Sequence, residues 1–219
     1  MTADLPDELF MRRAIELAQS VDLRTNINPH VGAVVVSPEG DIVGEGFHQG
    51  SGTDHAEVVA LAQAGPLAVG STVYSTLEPC SSTGKRGPCT HALIEAGVAR
   101  VVFGQSDPNP TMAGGAAALV TSGVQVASNV LNDECAKLNR SWTFAHQNNR
   151  PWVIWKTATT LDGFVASNDG KSQWITCEES RAYVQDIRAS VGAIVTGTGT
   201  VLADDPLLTV RDLPEDQQP

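Results

Sequence analysis

Apolar positions along residues 1–146 recur either at helical spacing or in short continuous runs, which predicts helices alternating with buried strands. The spacing of Phe10, Ala14 and Leu17 predicts a first helix over about residues 7–21, with Asp7 as its N-terminal cap. Asp54 is the expected cap of a helix that begins at His55. Strands are predicted over residues 31–36, 42–47, 71–77, 98–103 and 124–126, and further helices over residues 55–64, 89–96, 115–123 and 132–146.

The pattern changes after residue 146. Residues 147–151, which include Asn148, Asn149 and Pro151, predict a linker between a first domain, residues 1–146, and a second, residues 152–219. The second segment predicts strands at Trp152–Lys156 and Ala193–Val195, a turn at 161–163 and a helix over about residues 178–189.

Candidate chemistry is concentrated in His55-Ala-Glu57, Glu78-Pro-Cys80 and Pro88-Cys89. One histidine and two cysteines can supply three ligands to a tetrahedral zinc and leave its fourth position to water, whose pKa the metal lowers. Two thiolates already balance the charge of zinc, so Glu57 is left to carry protons. Zinc-dependent nucleobase deaminases share this pattern. The alternative to a metal site is that Cys80 and Cys89 are buried thiols without a metal. For Glu78, two roles stay open: it either orients a metal ligand or ties down its own loop.

Composition narrows the class of protein further. A net charge of −11 over 219 residues argues against a nucleic-acid surface, so a phosphorylated substrate would need a local basic patch. No apolar run reaches membrane-spanning length, and the first residues lack the basic region of a signal peptide. Two of the four cysteines are assigned to the metal, which predicts no disulfide framework and a reducing cytoplasm. Cys135 and Cys177 are expected to be packed free thiols.

The two metal-binding cysteines are nine positions apart, whereas nucleoside deaminases usually have Pro-Cys-x-x-Cys. The loop between them, with Gly84, Lys85 and Pro88, resembles that of the bacterial deaminase–reductases of riboflavin biosynthesis. Asn28-Pro29 and His48 also fit the pattern of that family. The resemblance implies a three-layer α/β/α cytidine-deaminase-like domain followed by an incomplete dihydrofolate-reductase-like domain.

The resemblance implies that Asn28 and His48 contact the pyrimidine, although a turn asparagine and a solvated strand-end histidine are the simpler interpretations of each alone. Lys85 is predicted to bind the substrate phosphate, since basic residues are scarce in this acidic chain; a solvated turn lysine is the alternative. Family members usually carry histidines where this chain has Ser82 and Thr83, which puts substrate affinity in question.

Residues 152–219 resemble the opening third of the reductase half of the family. In that half, four residues would face the nicotinamide cofactor: Ala158, Trp174, Thr200 and Asp204. Four others would face the reductase substrate: Ser172, Arg188, Leu208 and Arg211. We expect NADPH to bind only if the reductase half is completed, and this tail to be loosely ordered, to pack on the first domain or to associate with another copy.

The sequence therefore predicts a zinc-dependent hydrolytic deaminase that converts 2,5-diamino-6-(5-phosphoribosylamino)pyrimidin-4(3H)-one to 5-amino-6-(5-phosphoribosylamino)uracil. The expected partner is this small phosphorylated pyrimidine, with no nucleic acid and no membrane. One alternative is a deaminase of another nucleobase or nucleotide. The other is a zinc-stabilised scaffold without activity, for which the change at Ser82 and Thr83 and the short reductase part are the support.

Overall fold

The computed structural model describes residues 5–20, 28–82, 87–211, 213–215 and 218–219. Internal contacts divide the chain into two units. One unit contains the first helix together with residues 28–152, and the other contains residues 153–219. The helix at residues 140–148 extends two residues into the predicted linker, and the predicted domain boundary itself stays a prediction.

The first unit is built on a five-stranded sheet with the strand order β2-β1-β3-β4-β5. The strands are β1 (Gly32–Val36), β2 (Ile42–Phe47), β3 (Thr72–Leu77), β4 (Arg100–Gln105) and β5 (Gln125–Ala127). The central strand β3 is antiparallel to β1 and parallel to β4, and β5 is parallel to β4. The first two strands form an antiparallel hairpin, and β2 has the predicted bounds.

Within the described residues of this unit, six α-helices pack around the sheet. They are α1 (Leu5–Gln19), α2 (Ala56–Ala64), α3 (Cys89–Glu95), α4 (Gly115–Thr121), α5 (Asn132–Leu138) and α6 (Arg140–Asn148). Side chains alternate along each strand, so Val35 joins a core with α2, α3 and α4, whereas Val34 joins a core with α1 and α5. These three layers confirm the predicted α/β/α class of the domain.

Helix α2 lies unusually close to β2 because that strand has glycine at its points of contact. A Cβ at Gly44 would be 2.2 Å from the carbonyl oxygen of Ala60, and one at Gly46 would be 2.2 Å from that of Ala56. Neither position therefore accepts a larger residue without moving the helix. This packing fixes the first turn of α2, where the predicted histidine and glutamate lie.

The structure corrects two predicted helix caps. Helix α1 begins at Leu5, so Asp7 lies inside it, where its buried carboxylate receives hydrogen bonds from Arg100 at 2.7 Å and from the Tyr74 hydroxyl at 2.9 Å. These bonds hold the pKa of Asp7 below its ordinary value, with Arg100 as the main cause. His55, not Asp54, is the N-cap residue of α2. Sequence patterns locate a helix terminus only approximately, whereas the sheet behind α1 determines what Asp7 contacts.

The predicted helix over residues 132–146 is two helices, α5 and α6, which meet at Asn139. The Asn139 side chain accepts a hydrogen bond from the backbone N–H of His30 at 2.7 Å and donates one to its carbonyl at 2.9 Å. Leu138 and Trp142, four positions apart, would share one face of a continuous helix, but they pack against different cores. A contact between residues 109 positions apart, rather than the local periodicity, accompanies the break.

The second unit contains α7 (Glu178–Ala189), as predicted, and α8 (Thr198–Asp204), which the sequence did not predict. The predicted strands at Trp152–Lys156 and Ala193–Val195 are wrong, since the described residues of 153–219 form no strand. A strand needs a hydrogen-bonded neighbour, and this segment offers none. Cys177 lies exposed at the N-terminus of α7 instead of being packed, whereas Cys135 is buried as predicted.

All four cysteines lie in described segments, and none is paired in a disulfide. Within the described residues, no helix has the length and apolar character needed to cross a bilayer. The cytoplasmic location inferred from the cysteines stays a prediction.

Candidate metal and catalytic site

Three elements of the first unit bring His55, Cys80 and Cys89 together. His55 caps α2, Cys80 follows the end of β3, and Cys89 is the first residue of α3. Their ligand atoms all lie within 4.8 Å of one another. The Nδ1 atom of His55 is 3.0 Å from the Cys89 sulfur and 3.6 Å from the Cys80 sulfur.

The donor set fits zinc. A tetrahedral zinc has bonds of about 2.0–2.3 Å to nitrogen and sulfur, which requires its ligand atoms to be roughly 3–4 Å apart. The two measured distances between His55 and the cysteines lie in that range. Both sulfurs are buried, and among the described residues the group of close ligand atoms consists of His55, Cys80 and Cys89, so three protein ligands are available and the fourth position is left for water.

The pKa values of the two thiols are shifted in opposite directions. Hydrogen bonds from Cys89 and His55 lower the pKa of Cys80 to about 4, whereas contact with Cys80 and burial raise the pKa of Cys89. Cys80 therefore supplies the first thiolate, and its charge opposes the second. A bound cation would remove that opposition, because it stabilises both thiolates.

The carboxylate of Glu57 lies beside the metal ligands. Its side chain is almost completely buried, and its Oε2 atom is 3.5 Å from the Cys89 sulfur. The hydroxyl of Ser75, at the middle of β3, donates to the other carboxylate oxygen at 3.4 Å. Burial raises the pKa of Glu57 above its ordinary value, as suits a group that takes and returns a proton near neutral pH.

Sequence reasoning missed Ser75. The sequence did contain a signal for it, because side chains alternate between the two faces of a strand. Ser75 therefore lies on the same face of β3 as Val73, which belongs to the core under α2. A polar residue on that face lies opposite the helix that carries Glu57.

His48 is buried beside the site, with its ring edge-on to that of His55 and the ring centres 5.4 Å apart. Its Nδ1 atom is 3.2 Å from the carbonyl oxygen of Asp54. A carbonyl oxygen only accepts, so Nδ1 carries the hydrogen and Nε2 is left as an acceptor. Burial lowers the pKa of His48, which keeps the ring neutral. The solvated histidine considered from the sequence is therefore wrong.

For Asn28 and Lys85, the other two predicted substrate contacts, the structure gives less detail. Asn28 is half-buried just before β1, and the contact between Asn139 and His30 fixes the backbone two residues further on. Lys85 lies outside the described residues. A cavity of about 300 Å³ opens beside the site, between His55 and Val58 on one side and His91 and Ala92 of α3 on the other.

The eight residues predicted for the reductase half all lie in the second unit. Trp174 is largely exposed, with the Arg181 guanidinium 4.4 Å from its ring centre, and Thr200 and Asp204 are exposed on α8. Arg188 donates to the Thr209 carbonyl at 2.9 Å. The remaining residues fall in segments without helix or strand: Ala158, Ser172, Leu208 and Arg211. The described part of residues 153–219 contains no sheet that would hold these residues around a dinucleotide.

Comparison with known proteins first defines the class. Residues 5–105 match the family model described as the cytidine and deoxycytidylate deaminase zinc-binding region. Residues 151–219 match the RibD C-terminal domain. The chain thus contains a region similar to zinc-binding deaminases, followed by a region similar to the RibD C-terminal domain.

The particular relatives are riboflavin biosynthesis proteins. The chain is 47% identical to RibD of Escherichia coli over 98% of its own length and 58% of that protein. It superposes on RibD of Acinetobacter baumannii with a TM-score of 0.90 and 43% identity, covering 98% of this chain and 62% of that one. For the deaminase/reductase of Thermotoga maritima the TM-score is 0.85 at 43% identity, with 94% and 59% covered.

The resemblance stated from the sequence is confirmed: over nearly its whole length the chain is similar to RibD proteins, with the deaminase zinc-binding region first and the RibD C-terminal domain match second. The chain spans about three fifths of the length of the relatives it matches.

Proposed function

We propose that the first unit is a zinc-dependent deaminase acting on 2,5-diamino-6-(5-phosphoribosylamino)pyrimidin-4(3H)-one, with 5-amino-6-(5-phosphoribosylamino)uracil and ammonia as products. The observation that carries the proposal is the cluster of His55, Cys80 and Cys89 with the buried carboxylate of Glu57 beside it. The Thermotoga maritima relative is described as a deaminase and reductase of this pyrimidine pathway, which supports the choice of substrate.

His55, Cys80 and Cys89 would hold the zinc, which when bound supplies a Lewis acid that makes water nucleophilic near neutral pH. Glu57 accepts a proton from the attacking water as oxygen adds to the ring carbon that bears the amino group. It then returns the proton to the departing nitrogen as the carbon–nitrogen bond breaks and ammonia leaves. The raised pKa of Glu57 suits both transfers, because a carboxylate of ordinary pKa is a poor acid near neutral pH.

The substrate contacts follow from the groups around this site. His48 presents Nε2 as an acceptor and would receive an N–H of the pyrimidine, with Asn28 as the second ring contact. Lys85 would bind the phosphate, and Arg86 lies beside it in sequence. Ser82 and Thr83 offer hydroxyls where family members usually have imidazoles.

The experiment is an ammonia-release assay of the zinc-loaded chain with the diaminopyrimidine nucleotide, cytidine, deoxycytidylate and an adenosine-containing RNA. We expect turnover of the pyrimidine nucleotide alone. Turnover of one of the other compounds instead would identify that compound as the substrate. If a fully zinc-loaded chain turned over none of them, the proposed activity would be wrong, and the zinc-stabilised scaffold would be the remaining hypothesis.

Glu57→Gln is the matched variant, because the amide has nearly the same shape and cannot carry a proton. It should retain zinc, measured by atomic absorption, and lose about 10²–10⁴-fold in kcat. Activity within roughly tenfold of the parent would assign the proton transfer to another residue.

A further inference from the structure

The turn that carries Cys80 is held from both sides by residues 107–116, a loop that runs into the first turn of α4 and is called the 107–116 loop below. Glu78, two residues before Cys80, is buried, and its carboxylate accepts two backbone hydrogen bonds from that loop. One comes from the N–H of Asp107 at 3.1 Å and the other from the N–H of Ala116 at 3.0 Å. Of the two roles left open by the sequence, the geometry therefore favours tying down a loop over contacting a ligand.

Ser81, the residue after Cys80, is bonded to the same loop. Its backbone N–H donates to the Met112 carbonyl at 3.1 Å, and its hydroxyl donates to the Ala113 carbonyl at 2.7 Å. Cys80 thus lies between two residues, Glu78 and Ser81, that both form hydrogen bonds with residues 107–116.

Close packing completes this arrangement. A Cβ on Gly115 would lie 1.7 Å from the carbonyl oxygen of Pro79, so only glycine lets the loop approach the turn this closely. The loop has local order of its own, because the Asp107 carboxylate accepts the N–H of Asn109 at 2.8 Å. Since the loop is anchored at residues 107, 112, 113, 115 and 116, a shift of the loop would move the Cys80 sulfur.

We propose that Glu78 is a positioning residue for the metal centre, which acts through the loop 107–116 to hold the Cys80 sulfur at its ligand distance from His55 and Cys89. The inference rests on the proposed zinc site, but it concerns metal binding and not the deamination step. Groups that orient metal ligands from outside typically contribute about 10–100-fold in metal affinity.

The test uses the full chain and two metal readouts. Glu78→Gln leaves one acceptor oxygen, so one of the two backbone N–H groups faces an amide N–H₂ and loses its partner. We expect zinc affinity, measured by competition with a chromogenic chelator, to fall about 10–100-fold. We also expect the absorption bands of the Co²⁺-substituted protein to shift, because they report the geometry of the ligands.

Two further variants separate positioning from other causes. Asp7→Asn removes a buried carboxylate that contacts neither the metal ligands nor this loop, so it should lower stability and leave the cobalt spectrum unchanged. Ser81→Ala removes a contact of the same loop without changing charge, and should shift the spectrum in the same direction as Glu78→Gln, by less.

Parent-like zinc affinity and cobalt spectrum in Glu78→Gln would overturn the proposal. The same spectral shift in Asp7→Asn would show that the effect comes from lost stability. No shift in Ser81→Ala would show that it comes from the charge of Glu78 alone. Either result would also overturn the proposal. If Glu78→Gln does not fold, Ser81→Ala decides alone. A chain that binds zinc with these dependences but releases no ammonia would refute the proposed function and leave this inference intact.

Discussion

The two units of this chain share similar apolar content but differ in how much of it they bury. In the first unit, Val34, Val73, Val101 and Leu93 are completely buried between the sheet and its helices. In the second, Trp155 is 88% exposed and Val195 92% exposed, and Leu161 is fully exposed. Apolar side chains stabilise a fold only when a partner surface removes them from water.

The difference extends from packing to chemistry. Each metal ligand of the first unit is held by a strand end or a helix start that the sheet fixes in place. The residues predicted to bind a cofactor in the second unit have no such frame within the described residues. Motif residues alone therefore do not make a site; the elements that hold them do.

The largest effect should come from removing a metal ligand. Cys80→Ser or Cys89→Ser should abolish stable zinc binding and destabilise the first unit, because metal affinity and the order of the loop between these residues are linked. Hydrogen exchange should show faster exchange at β3 and α3, with no change over residues 153–219.

A chelator should reproduce this pattern in the parent chain. A melting curve unchanged by chelator would show that the loop is ordered without the metal. Equal changes in both units would contradict the expectation that the metal stabilises the first unit alone.

A pair of matched leucine truncations tests the comparison of packing. Leu93→Ala, in the core between the sheet and α3, should cost about 2–5 kcal/mol of unfolding free energy, since it leaves a cavity. Leu161→Ala, on the exposed segment, should change it by less than about 0.5 kcal/mol. Urea unfolding followed by circular dichroism measures both. Equal costs would mean that Leu161 is buried in solution.

The next largest effect on stability should come from breaking the ion pair between Asp7 and Arg100. Asp7→Asn should cost about 1.5–3 kcal/mol at neutral pH, because it weakens charged hydrogen bonds in a buried position. The pKa of Asp7 is lowered in the folded state, so its stabilising contribution is present above its unfolded pKa of about 4 and is lost as pH falls through the folded value.

The difference in stability between parent and Asp7→Asn should therefore be constant above about pH 5 and shrink below about pH 4. Glu134→Gln is the control, since its ion pair with Arg12 at 2.8 Å is exposed and contributes little. A parent–variant difference that grows toward acid would contradict the assignment.

Local pattern in the sequence predicted many of the helices and strands, and the reason is physical. The hairpin strand Ile42–Phe47 and the helix Glu178–Ala189 follow from local periodicity and turn residues, and both have their predicted bounds. The metal ligands were predicted because their spacing is a local motif. The break at Asn139 depends on a distant contact with His30, which no window of sequence contains.

The same reasoning explains what was missed at the site. Glu78 was noticed, but its partners at Asp107 and Ala116 lie in a loop that only the fold brings beside it. The two predicted strands of residues 153–219 have the apolar composition of strands, yet a strand forms only when another chain segment pairs with it.

The smallest expected effect is that of NADPH. Its addition to the 219-residue chain should leave the melting temperature and the tryptophan fluorescence unchanged, because the described part of residues 153–219 contains no sheet to hold Ala158, Trp174, Thr200 and Asp204 together. Isothermal titration is the direct measurement. Micromolar binding with reduction of the deaminated product would show that the reductase site is completed, for example by a second copy.

The central claim is that the deaminase site is complete within the first unit. The most direct measurement compares kcat/KM for ammonia release between the 219-residue chain and one ending at Trp152, both loaded with zinc. The account predicts values equal within about threefold, since none of the site residues lies beyond that point. A loss of about 100-fold or more in a shortened chain that still folds and binds zinc would show that residues 153–219 contribute to the site.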